Sequence, residues 1–199
     1  MNINLMLYLL TYLIAGIPFG YLLAKQFANV DIKNAGSGNI GATNVLRVVK
    51  EKDASLAKKL GAITLLLDAL KGAVMIGVAY ILNAPTEVLW TIAVLAVVGH
   101  CFSAFLNFEG GKGVATGIGV LLAMIPLSGV VAIAVWFISA KVLKISSLSS
   151  LIGLSALLIS SYFIYPDIAH APIWVISGII LYKHIPNILR LINKEEAKV

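Results

Sequence analysis

V-A-T-G-I-G-V-L-L-A-M-I-P-L-S-G-V-V-A-I-A-V-W-F-I-S-A, residues Val114–Ala140, is the stretch whose reading decides the fold. Its 27 residues carry no charge and are interrupted only by I-P-L-S-G at Ile125–Gly129. Such a run is either one long tilted membrane helix or two short helices hinged at Pro126, where proline removes a rung of the hydrogen-bond ladder. The choice fixes the side of the membrane on which every later residue lies.

Working outward, five more apolar runs are close to the roughly 20 residues that a crossing requires: Ile3–Ala24, Leu60–Leu82, Val88–Leu106, Leu148–Tyr165 and Ile168–Tyr182. The chain is 60% apolar and only 12% charged, too little polar residue to coat a soluble domain of 199 residues. Its formal charge of +6 therefore reads as loop charge that sets orientation, not as a nucleic-acid surface. Met1–Lys25 lacks a basic leader and is too long for the core of a signal peptide, so it reads as a first membrane helix. Cys101 is the only cysteine, which excludes an intramolecular disulfide and a cysteine metal cluster. A small buried apolar residue is its simplest reading.

Charge chooses the hairpin. With a turn at Pro126, Lys25, Lys33, Arg47, Lys50, Lys52, Lys58, Lys59, Lys112, Lys141, Lys144, Lys183, Arg190, Lys194 and Lys198 share one side. The opposite turns, 83–87, 126–129 and 166–167, hold no Lys or Arg. A single crossing would turn 14 against 0 into 8 against 6, so the positive-inside rule predicts two helices of about 13 residues each. The expected architecture is one all-α membrane domain over residues 1–199 with seven crossings. Its N-terminus lies outside and its C-terminus in the cytoplasm.

The fifteenth cation, Lys71, lies inside the second span with Asp68 three residues before it, on the same helix face. The pair either orients the helix or lines a functional cavity.

Three polar segments fall on the cationic side. The first, Asp31–Arg47, contains Gly36, Ser37, Gly38, Asn39, Gly41, Thr43, Asn44 and Arg47. Its G-S-G-N-I-G string fits the dinucleotide fingerprint, but that motif needs a preceding strand, and here a membrane helix precedes it. What survives is an anion nest of closely spaced amides, with hydroxyl donors and an arginine clamp. The second segment carries His100 and then Phe108–Thr116, including Gly110, Gly111, Lys112, Gly113 and Thr116. It is not a phosphate-binding P-loop, because no Ser or Thr follows Lys112. Gly113 and Gly117 form a small-residue packing pair, and His100 reads as either a structural donor or a base. The third segment, Lys183–Arg190, adds His184 and Asn187, which a simple interfacial anchor would not need. His170, at the other membrane edge, reads as structural.

Three donor-rich clusters on one side call for a small, strongly anionic ligand at the membrane surface. Asp68 and Glu109 are the only carboxylates near them, too few for a divalent-metal phosphoryl-transfer site. No metal or cofactor is expected. None of His100, His170 and His184 has an Asp five positions later, so the histidine–aspartate pair of the common membrane acyltransferases is missing.

The segments G-S-G-N-I-G-A-T-N-V-L-R, G-H-C-F-S-A-F-L-N-F-E-G-G-K-G-V-A-T and K-H-I-P-N-I-L-R resemble the three motifs of the bacterial acylphosphate-dependent glycerol-3-phosphate acyltransferases, the PlsY family. The resemblance covers essentially the whole chain and extends to Asp68, Lys71 and Gly72. The sequence departs at Ser103, where the family pattern has Pro, and at Glu109, where it has Lys; Lys112 is then the cation to rely on there.

The resemblance implies acyl transfer from acyl-phosphate to the 1-hydroxyl of glycerol 3-phosphate at the cytoplasmic face of a bacterial inner membrane. Lysophosphatidic acid and phosphate would be the products, as the first step of phospholipid synthesis, carried out by a monomer in the bilayer. His184, Ser37, Arg47 and Lys112 are the implied catalytic residues. Gly36, Gly38, Asn39, Gly41, Thr43, Asn44, Lys71, His100, Gly110, Gly111, Gly113, Thr116 and Asn187 are the implied substrate contacts. Either His184 or the donor's own phosphate takes the hydroxyl proton. A small anion transporter is the rival, suited by Lys71 and the glycine-broken helices. The absence of an internal repeat and the one-sided motifs count against it.

Overall fold

A computed structural model describes residues 2–198; Met1 and Val199, the ends of the expected 1–199 domain, lie outside the described residues. All regular structure among the described residues is helical: α1 (Ile3–Gly16), α2 (Phe19–Ala28), α3 (Ala42–Lys50), α4 (Ala54–Ile81), α5 (Thr86–Cys101), α6 (Val114–Met124), α7 (Pro126–Leu143), α8 (Ser146–Ile164), α9 (Ala171–Lys183) and α10 (Ile185–Ile192). A short 3-10 turn, Ala104–Leu106, follows α5.

The deciding stretch breaks where its sequence says. Ile125 leaves helical geometry at φ −139°, ψ 69°, and Pro126 opens α7 at a position where its missing N–H is harmless. The chain then reverses: a side chain at Gly129 would touch the Leu122 backbone, which lies seven residues back and would be more than 10 Å away along one helix. The halves are unequal, however. α7 has 18 residues, enough to cross, whereas the 11 residues of α6 reach only about 16 Å.

Five helical segments are long and apolar enough to span a membrane, and a sixth arises if α9 and α10, bent by 55°, count as one. Ile81, Phe137, Ile138, Ile159 and Phe163 are exposed on their outer faces, as lipid contact requires. The main apolar core runs from α1 through α4, α5, α6 and α9. α4 and α6 approach most closely at Gly119, where any side chain would collide with the Ala69 carbonyl. The expected packing pair meets α9: Gly113 and Gly117 both rest on Ile180.

The first run is not one unbroken helix. Pro18 forces Ile17 into extended geometry and separates α1 from α2. In hydrocarbon the freed carbonyls need donors, and two distant side chains provide them. Ser103 Oγ donates to Gly16 O at 2.6 Å, and Lys71 Nζ donates to Ile17 O at 3.0 Å.

α3 lies beside the bundle on a second small core of Ala24, Ile32, Ile40, Val45, Val48, Val49 and Leu60. The apolar face of this otherwise polar helix explains how the first polar segment is held in place.

Candidate active site

The first segment is shaped by one side chain. Asn44 donates to the carbonyls of Ile32, Ala35 and Asn39 and accepts from Ser37 N–H at 2.8 Å. Gly36 and Gly38 take the left-handed geometry that this coil requires, at φ +61° and +68°. The expected nest is therefore partly internal: Gly38 N–H bonds Ala35 O, and Gly41 N–H bonds Asn39 Oδ1. The amides left for a ligand are those opening α3, which no side chain caps.

Those amides face a cleft of about 780 Å³. Its polar end is lined by Gly36, Ser37, Asn39, Gly41, Thr43, Asn44 and Arg47 from the first segment, His100, Lys112 and Gly113 from the second, and His184 and Asn187 from the third. All three segments thus converge. α6 and α8 also begin at the cleft, with Gly113–Val114 and Ser146–Ser147 in its wall and no side-chain cap on either helix. Three helix N-termini at one cavity place partial positive charge and unbonded amides around it. The other end of the cleft is apolar, built from Leu65, Leu66, Leu121, Leu122, Ile133 and Trp136.

A smaller side chamber of about 250 Å³ shares Ser37, Asn39, Lys112, Asn187 and Arg190 with the cleft and adds Lys33, Gly38, Gly110 and Lys183. Glu109 stands at its edge, paired with Lys33 at 3.4 Å. Burial pulls the Lys112 amine down to about 8; Glu196 opposes this, while Arg190, Arg47 and Lys183 add to it.

His184 occupies the bend between α9 and α10. Its Nδ1 lies 2.7 Å from Ile180 O, and because a carbonyl only accepts, Nδ1 carries the proton. Nε2 is then the acceptor.

Other expected contacts lie outside the cleft lining. Lys71 is buried between Asp68 Oδ1, at 2.8 Å, and the Ile17 carbonyl, so it seals the helix break. Thr116 Oγ1 donates to Asp68 O, tying α6 to α4. Gly110 and Gly111 give their N–H groups to Cys101 O and His100 O, and Gly111 lies directly against the His100 ring.

Ser146, Ser147 and Ser150 line the cleft without having been singled out in the sequence. The run S-S-L-S-S, residues 146–150, was their signal, since it places several hydroxyls in one first turn.

An apolar groove ending in a ring of helix N-termini and cations defines an all-helical membrane protein that handles an anionic lipid-like molecule. The glycerol-3-phosphate acyltransferase family model matches residues 5–194, and the chain belongs to that family. It is 57% identical over 198 residues to the glycerol-3-phosphate acyltransferase of Sulfurimonas denitrificans, covering 100% of this chain and 97% of the relative. It is 59% identical over 201 residues to that of Aliarcobacter butzleri, covering 100% and 97%. Among solved structures, the glycerol 3-phosphate form of PlsY, an integral membrane glycerol 3-phosphate acyltransferase, matches with TM-score 0.89 and 34% identity, covering 100% of this chain and 96% of that one. The lysophosphatidic acid form of PlsY matches with TM-score 0.88 and 33% identity, covering 99% and 95%. The anion-transporter alternative finds no support in these matches.

Proposed function

We propose that this protein transfers a fatty acyl group from acyl-phosphate to the 1-hydroxyl of glycerol 3-phosphate, releasing lysophosphatidic acid and inorganic phosphate. One observation carries the reading: a single cleft joins an apolar groove to a cationic end ringed by three helix N-termini. An acyl chain fits the first part and phosphates fit the second. The names of the relatives support glycerol 3-phosphate as acceptor.

The acyl tail lies along Leu65, Leu66, Ile133 and Trp136, and glycerol 3-phosphate enters through the side chamber. Lys112, Arg47, Ser37, Thr43 and the first amides of α3 hold phosphate. His184 Nε2 takes the proton of the 1-hydroxyl as its oxygen attacks the acyl carbonyl carbon. The carbon–oxygen bond to the donor's phosphate then breaks and phosphate departs, while the cationic ring stabilises charge on the tetrahedral intermediate. Gly36, Gly38, Asn39, Gly41, Gly110 and Gly113 shape these subsites. Asn44 and His100 complete the cleft wall, and Lys71, Gly111 and Thr116 support it from behind.

The membrane arrangement belongs to the same reading. Seven crossings of a bacterial inner membrane, by α1 with α2, α4, α5, α6, α7, α8 and α9, then belong to one monomeric domain with the N-terminus outside. The cleft and C-terminus face the cytoplasm, where 14 of the 15 Lys and Arg residues gather.

The test offers purified protein glycerol 3-phosphate with acyl-phosphate, acyl-CoA or acyl-carrier protein and measures lysophosphatidic acid by mass spectrometry. Product is expected from acyl-phosphate alone; equal product from a thioester would refute the donor assignment. His184→Ala at saturating substrates should lose kcat, and a loss confined to KM would move the base to the donor's phosphate.

A further inference from the structure

We propose that Glu196 is a positioning residue for this reaction, clamping α10 onto α8 so that Asn187 and Arg190 are held at the cleft. The inference rests on the acyltransferase reading above.

Glu196 lies beyond all three polar segments, in a tail where sequence suggests only a solvated charge run. The structure turns that tail back. α10 ends in Schellman geometry: Glu195 N–H bonds Arg190 O at 2.7 Å, Lys194 N–H bonds Leu191 O at 3.2 Å, and Lys194 is left-handed at φ 62°. A lysine there is strained relative to glycine, so further contacts must hold the turn. They come from Glu196, two residues on.

The Glu196 carboxylate, whose side chain is only 10% exposed, accepts three hydrogen bonds of 2.6 Å. The donors are Ser147 Oγ on α8, and Asn187 Nδ2 and Arg190 Nε on α10. Among the described residues these are the side-chain hydrogen bonds that link the last helix to α8. Burial raises the carboxylate pKa, but the three bonds and the Arg190 charge outweigh it and leave the pKa below the usual range. The group is therefore an anion and accepts only.

Two consequences follow at the cleft. With Nδ2 committed to Glu196, the Asn187 amide cannot flip, and Oδ1, which has no partner among the described residues, is left as an acceptor. An acceptor suits a substrate hydroxyl and not a phosphate. Arg190, meanwhile, is paired with Glu196 through Nε, while Lys112 and Arg47 in the cleft and Lys183 in the side chamber have no carboxylate partner among the described residues.

The experiment compares full-length wild type, Glu196→Ala, Glu196→Gln, Ser147→Ala and the Ser147→Ala/Glu196→Ala double variant. The readouts are kcat, KM for each substrate and melting temperature. Both Glu196 variants should lose roughly tenfold to a hundredfold in kcat/KM for glycerol 3-phosphate. KM for the acyl donor should stay unchanged. Ser147→Ala should fall in the same direction, and the double variant should be no worse than Glu196→Ala, because the two act as one clamp. Wild-type kcat/KM in Glu196→Ala would overturn the inference. So would a lowered KM for glycerol 3-phosphate, which would mark the carboxylate as a competing anion. A kcat loss with both KM values intact would equally overturn it, by indicating fewer folded molecules. An inactive wild type would instead sink the acyltransferase reading itself.

Discussion

Raising the pH should discharge Lys112. The Lys112 amine is held near 8, mainly by burial and then by the neighbouring Arg190, Arg47 and Lys183, with Glu196 opposing them. A group with a lowered pKa loses its proton as pH rises through that value. With a midpoint near 8, the charged fraction falls from roughly nine-tenths at pH 7 to roughly one-tenth at pH 9. Glycerol 3-phosphate is almost fully dianionic across this range, since phosphate monoesters lose their second proton near pH 6. If the ammonium is what holds phosphate in the free enzyme, kcat/KM should fall roughly ninefold between those two pH values. At saturation the fall should be smaller, because bound phosphate raises the amine pKa. Initial rates of phosphate release, corrected for spontaneous hydrolysis of acyl-phosphate, would measure it. Lys112→Arg, whose guanidinium cannot discharge, should be slower at neutral pH and lack the alkaline fall. An alkaline limb with the same midpoint in Lys112→Arg would refute the reasoning.

Other substitutions probe the supports. Asn44→Ala removes four hydrogen bonds from the first segment and should cost about 3 kcal/mol, with KM raised for both substrates; melting curves and kinetics would register this. Gly111→Ala places a methyl group against the buried His100 ring and should cost about 1–3 kcal/mol by overpacking, measured as a fall in melting temperature. Lys71→Met leaves Asp68 without its cation and Ile17 O with only the Phe19 N–H, and should cost about 3 kcal/mol or more. Adding Asp68→Asn should recover part of that loss in thermal unfolding.

Much of this was legible because membranes simplify sequence. The hairpin at Pro126 followed from charge and proline, and the polar segments identified themselves by glycine and donor density. What stayed hidden depended on contacts between distant residues. Pro18 sits in an apolar run much like any other, and the break it makes is tolerable only because Ser103 and Lys71 reach the freed carbonyls. Spacing alone does not reveal that the partners of Lys71 are the Ile17 main chain and Asp68. Ser103, where the resemblance leads one to expect proline, has a φ of −67° that proline also adopts, and its hydroxyl adds the bond to Gly16 O. The first turn of α4 was missed because Lys58 and Lys59 read as loop, although Asp53 caps the helix through Ser55 and Leu56 N–H. Glu196 could not be found from spacing, since only the turn at Lys194 brings it back to Ser147.

The central claim is that one cleft brings an acyl-phosphate and glycerol 3-phosphate together for direct transfer. It is tested most directly by counting phosphate released from acyl-phosphate against lysophosphatidic acid formed, with purified protein in vesicles, with and without glycerol 3-phosphate. Direct transfer predicts equal amounts of the two products and no enzymatic phosphate release when glycerol 3-phosphate is left out. Phosphate released at the same rate without the acceptor, or in excess of the lysophosphatidic acid formed, would contradict it.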